Sequence, residues 1–224
     1  MPEKYEVPDE GRGETVLPLV KAGLSVLPII GGPASEILSL LVQPLLEQRR
    51  TQWMHQVSEG LRELEKTGLK LEGLADNEQF VSVTIQASQI ALRTHLEEKR
   101  QALSNAILNV ARAQAPDESL QLMFLNFVDL FTEWHIRLLR LFQSPPQNAG
   151  IVAGALNHVL EQSYPELRGR REFYDSVWKD LFIRGLTGTE SLHVMMTGVG
   201  LTQKRTTGLG ESFLSFISGP NRAP

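Results

Sequence analysis

Five histidines, His55, His95, His135, His158 and His193, are the residues best suited to acid–base or metal chemistry in this chain. None forms an HExxH pair, and no serine or carboxylate stands at a spacing that would make one of them a general base. In THLEEK, Glu98 and Lys99 follow His95 by three and four residues, a spacing that suits a salt network on a helix surface better than a metal site. His135 follows Trp134 in a very apolar stretch and reads as a polar residue at a packed edge. The glycines of PIIGGPAS lack the GxxxxGK[ST] pattern and have no basic follower, so they read as a corner between helices. The GVG of residues 198–200 is too short for a dinucleotide fingerprint. There is no cysteine, which excludes disulfides, thiolate metal sites and cysteine nucleophiles. The expectation is a non-enzymatic protein with no cofactor and no metal.

Asn105 and Asn109 stand one helical turn apart and could bond across to another helix and fix its register. Thr207 could cap a final helix, and the glycines beside it could permit a turn and close packing.

These residues must be positioned by helices. With 224 residues, 42% apolar and 21% charged, the chain has the composition of an ordinary globule. The polar, acidic start MPEKYEVPDEGRGE has no signal-peptide pattern, and the location expected is cytoplasmic. Residues 1–14 read as a flexible tail, 15–144 as a helical bundle and 149–218 as a smaller module.

Within the bundle, helical spacing predicts a helix from Pro33 that passes Pro44 and ends near Gly68. A second should run from about Glu78 to Ala113 with a bend around His95–Lys99, and a third, the most apolar, from about Asp117 to Phe142. The prolines of QSPPQNAG mark the boundary. Beyond it come helices at 149–160, 171–184 and 209–217. Residues 190–196 and 203–207 read as strands around a glycine-bearing tip. The fold class expected is mainly α, a long-helix bundle with a small C-terminal winged-helix-like α/β module.

A winged module needs basic residues around its reading helix and hairpin. Residues 168–205 hold Arg168, Arg170, Arg171, Lys179, Arg184, Lys204 and Arg205 against four acids, a local charge of +3 in a chain of −4. Of these, Arg168, Arg170, Arg171, Lys179, Lys204 and Arg205 are the candidate nucleic-acid contacts. Asp175 and Asp180 lie in the same helix and oppose that role. Arg49, Arg50 and Trp53 are the candidate protein interface, because Trp and Arg dominate interface hot spots.

The stretch Thr15–Leu46 is apolar, but its longest uncharged run, between Lys21 and Glu36, has only 14 residues. A spanning helix needs about 20. Together, GLSVLPIIGGPASEILSLLVQPLLEQRRTQW, THLEEKRQALSNAILN and LFIRGL with RTTGLGESFLSFI resemble a sparsely characterised set of bacterial soluble helical proteins. That resemblance implies a bacterial cytoplasmic origin and supplies no catalytic residues. The function expected is macromolecule binding or regulation, with a protein partner or a second copy as the main candidate. The alternatives are a DNA-binding regulator acting through the C-terminal module and a membrane-active effector acting through residues 15–46.

Overall fold

The computed structural model describes residues 33–147 and 153–219. The chain is mainly helical. Helix α1 spans Pro33–Lys66, α2 Glu78–Arg93, α3 Glu97–Ala111, α4 Glu118–Leu130 and α5 Glu133–Gln143. Strand β1 (Ala153–Gly154) precedes α6 (Leu156–Ser163), a 3-10 turn (Pro165–Leu167) and α7 (Arg171–Ile183). Strand β2 (Met196–Thr197), α8 (Gly198–Leu201) and α9 (Gly208–Phe216) complete the order. Two units are distinguished, residues 1–47 and 48–224. In the first, the start of α1 is described, with Leu40 and Leu45 exposed. The rest of the expected membrane-active segment, residues 15–32, lies outside the described residues. No described helix is long and apolar enough to cross a membrane.

Local signals end the helices where glycine stands. At the end of α1, Gly68 takes φ +98° while Leu69 N–H donates to Leu64 O (3.1 Å) and Gly68 N–H to Glu65 O (2.9 Å). This is the reverse turn that a left-handed residue closes after a helix. Gly185, at φ +72°, ends α7 the same way, with bonds to Phe182 O and Leu181 O. Thr207 caps α9, its Oγ1 accepting from Gly210 N–H (3.1 Å) and donating to Gly185 O (2.6 Å).

The expected long helices are broken into shorter ones. The second stops at Arg93, and Thr94 Oγ1 accepts from Leu96 N–H (3.2 Å) before Glu97 and Glu98 open α3. Acids in a first turn favour a fresh start over a bend. The third breaks at Phe131–Thr132, where the Thr132 N–H donates to His135 Nδ1 (3.1 Å) and α5 begins. These breaks fold the chain back on itself, so that α2 and α3 pack extensively on each other.

The prolines at 145–146 end α5, yet the residues on both sides belong to one unit and share one core. Phe213 of α9 meets Phe124 and Phe127 of α4 edge-on, at 5.4 and 6.0 Å between centroids. Phe142 of α5 meets Trp178 of α7 at 4.9 Å. Asn105 and Asn109 fasten the end of α9 to α3. Asn105 Nδ2 donates to Ile217 O (3.0 Å), and Asn109 Nδ2 lies 2.9–3.2 Å from the carbonyls of Ser215, Phe216 and Ser218. These carbonyls lie at and just beyond the end of α9, where helical acceptors run out of intrahelical donors, so the expected inter-helix bond is a cap supplied from another helix.

The hairpin of a winged module does not form among the described residues. Met196–Thr197 pairs antiparallel with Ala153–Gly154, and Thr206 bridges to Thr187. The supposed glycine tip is α8, capped by Thr197 Oγ1 on Gly200 N–H (3.2 Å). Arg205 donates to Gly200 O at its end and lies 3.1 Å from Met196 Sδ. A capped helical turn and a hairpin tip both draw on Thr and Gly, which is how the two were confused.

Candidate binding face

Helix α5 buries Ile136, Leu138, Leu139 and Phe142. One turn apart on its other side, Trp134 and Arg137 are half-buried. Helix α7 turns Tyr174, Val177, Trp178 and Leu181 inward and leaves Phe173 half-buried. Between them, buried Leu167 anchors the 3-10 turn that follows Tyr164. The three elements bring three rings together: Trp134 meets Tyr164 at 5.4 Å and Phe173 at 6.4 Å, both at 88°. Such edge-to-face contacts add to the burial of each ring.

Two guanidiniums lie on these rings. Arg137 stands 5.1 Å from the Trp134 ring centre, and exposed Arg170 4.3 Å from that of Phe173. Each pair gains from the ring's negative face, by about 0.5–1 kcal/mol at an exposed site. Arg137 is held from behind by Glu98 (2.7 Å) and Glu133 (3.5 Å). Its bond to Glu98 raises its pKa further, so it is a fixed cation. Burial raises the Tyr164 phenol above its ordinary pKa, so the phenol keeps its proton at neutral pH. The face therefore offers aromatic surface, fixed positive charge and one neutral hydroxyl. That combination suits stacking and hydrogen bonding.

The sequence candidates are distributed differently. Trp53 is 2% exposed, and its indole N–H donates to Ser88 Oγ (2.9 Å), so it is a core residue rather than part of an open face. Arg49 is half-buried, with Nη1 3.5 Å from Leu92 O, and Arg50 is half-buried beside it. Arg168, Arg170 and Arg171 are exposed around the start of α7, where Arg171 meets Asp175 (3.4 Å). Lys179 is exposed two turns further on. Lys204 is exposed and pairs with Glu211, and half-buried Arg205 is bound to α8. The i, i+3 spacing of Trp134 and Arg137 was the available signal for their pairing.

Several other polar groups are bonded within the fold. Burial lowers the pKa of Lys99, whose Nζ donates to Asp129 O (2.8 Å) near the end of α4. Tyr174 donates to Glu161 (2.9 Å), and its pKa is pushed up to about 12, by burial first and then by that bond. His193 Nε2 lies 2.8 and 2.9 Å from the two Asp175 oxygens. Among the described residues, no group of three or more His, Asp or Glu could hold a metal ion. A cleft of about 900 Å³ runs beside Gln56, Gly60, Gln101 and Ser104, where Gln56 Nε2 donates to Gln101 Oε1 (3.0 Å).

Comparison with family models, curated proteins and solved structures yields no match.

Proposed function

We propose that this chain is a non-enzymatic macromolecule-binding protein that meets a protein partner through Trp134, Tyr164, Phe173, Arg137 and Arg170. The observation that carries this reading is the half-buried ring cluster, with Tyr164 and Phe173 both perpendicular to Trp134 and an arginine on Trp134 and on Phe173. Trp, Tyr and Arg are the side chains that most often carry interface binding energy. Their positions are fixed before any partner arrives, which reduces the ordering cost of association.

Charge around the face is mixed: Arg137 is matched by Glu98 and Glu133, Arg171 by Asp175 and Lys204 by Glu211, while Arg168, Arg170 and Lys179 are exposed. A DNA-reading role through a winged module has less support, because the two segments expected as its strands pair elsewhere.

The test is co-purification with tagged full-length protein, beside a Trp134→Ala/Arg170→Glu double variant and light scattering of each. A stoichiometric companion, or a second copy, that is lost in the double variant supports the face. A companion retained by the variant, or salt-dependent DNA binding abolished by Lys204→Ala/Arg205→Ala, overturns it.

A further inference from the structure

His135 occupies an unusual place for an ionisable side chain. It is the third residue of α5, its residue is 8% exposed, and its ring lies flat on Phe131 at 4.6 Å and 3°. The Thr132 backbone N–H donates to Nδ1 (3.1 Å), so Nδ1 carries the lone pair and the proton of the neutral ring resides on Nε2. Nε2 lies 3.3 Å from Asp180 Oδ2 on α7. One ring thus caps α5 with one nitrogen and reaches α7 with the other.

We infer that His135 makes the α4–α5 turn an acid-sensitive hinge: its neutral ring caps α5, and a proton added at Nδ1 removes that cap. Once Nδ1 carries hydrogen, it and the Thr132 N–H are two donors facing each other. The Thr132 hydroxyl, 2.9 Å from Nδ1, can rotate to accept the new proton, but the backbone N–H cannot. It loses that acceptor, on a residue that is itself exposed. The new charge also sits in the first turn of a helix, the end whose dipole disfavours cations.

The groups around the ring fix the direction of the response. From α7 come Asp180, which favours the charged ring, and Arg184, which opposes it and is itself bound to Asp180 (3.0 Å). Phe131 covers one face, and Phe213 of α9 stands behind Phe131 at 5.9 Å. The nearby acids are committed elsewhere: Asp129 of α4 to Arg93, and Glu133 of α5 to Arg137. Burial is the largest influence and lowers the pKa of His135 below its ordinary value, outweighing Asp180 and the Thr132 backbone, which favour the charged ring. The hinge is therefore closed at neutral pH and opens on acidification. The same cap recurs on α6, where Ala155 N–H donates to His158 Nδ1 (3.3 Å), but there the ring itself is exposed. The hinge stands whether or not the neighbouring Trp134 face binds a partner.

The experiment is nitrogen-15 NMR of the full chain from about pH 7.5 to about pH 5, with hydrogen exchange at the Thr132 amide, for wild type and His135→Gln. Glutamine at this position can still reach back to the Thr132 N–H but does not titrate. The inference predicts an Nε2-protonated ring at neutral pH and a midpoint below that of an ordinary histidine. It also predicts that Thr132 protection, corrected for intrinsic rate, falls roughly tenfold or more on acidification in wild type, the change carried by one pKa unit. In His135→Gln that protection is expected to stay level. An Nδ1-protonated ring at neutral pH, a midpoint at or above the ordinary value, or equal loss of protection in both proteins overturns it.

Discussion

Trp53 and Trp134 occupy matching situations in the sequence, each on an amphipathic helix with arginines nearby, and the fold puts them to opposite uses. Trp53 is sealed in the core, where Ser88 accepts its indole N–H. Trp134 is only half-buried, with Arg137 over its ring and Tyr164 and Phe173 at its edges. What separates them is the neighbour that arrives on top: α2 brings Ser88 to Trp53, whereas Trp134 is met at its edges by Tyr164 and by Phe173 of α7. An aromatic residue near arginines marks a binding face only after packing has decided which side remains open.

The comparison is broken most forcefully at Trp53. Trp53→Ala should lower unfolding stability by about 3–5 kcal/mol, read as a shifted urea midpoint with an unchanged slope. Ser88→Ala, which strands the buried indole N–H, should cost about 1–3 kcal/mol. An effect near zero for either would place Trp53 at the surface after all.

Removing Asn109 should be next in size. Its amide serves the end of α9, so Asn109→Ala is expected to destabilise by about 1–3 kcal/mol. Amide exchange should rise first in residues 213–218. A uniform rise across α3 instead would mean that the asparagine supports its own helix.

A pH series tests the region beside Trp134. Because the folded pKa of His135 lies below its unfolded value, the unfolded chain takes up the proton first as pH falls. The stability from its neutral ring is present above about pH 6.5, the unfolded value, and is lost as pH falls through the window between the two pKa values. Denaturation of wild type minus His135→Gln should show that loss. A difference that grows more favourable to wild type on acidification would reverse the sign.

The smallest stability effect belongs to Trp134 itself. Trp134→Ala should change stability by only about 1 kcal/mol, the scale of an exposed cation–π pair, while weakening partner binding tenfold or more. A large stability loss with binding intact would make Trp134 a second Trp53.

The features legible in sequence were those fixed by a few neighbouring residues or by a polar group on an apolar stripe. Gly68 and Gly185 end their helices, and Thr207 caps α9, because φ and hydroxyl chemistry act within one turn. Asn105 and Asn109 stood out because buried amides need distant partners. The break at Thr132 was hidden in an apolar run, although Thr132, Glu133 and His135 together carry the start signal. The segment 190–207 was misread because Thr and Gly serve both a hairpin tip and the cap of α8. Which of two tryptophans faces solvent was not legible, since the relation of α5 to α7 sets it. Arg168, Arg170 and Arg171 were picked out for their charge, and the aromatic partner of Arg170 emerges only once the helices are placed.

Hydrogen exchange on the chain purified with its partner, compared with the chain alone, tests the proposed face most directly. The account predicts protection concentrated in residues 133–140 and 164–174, with little change at 49–53 or 198–205. Protection centred on either of those latter segments, with 133–140 and 164–174 unchanged, would contradict it.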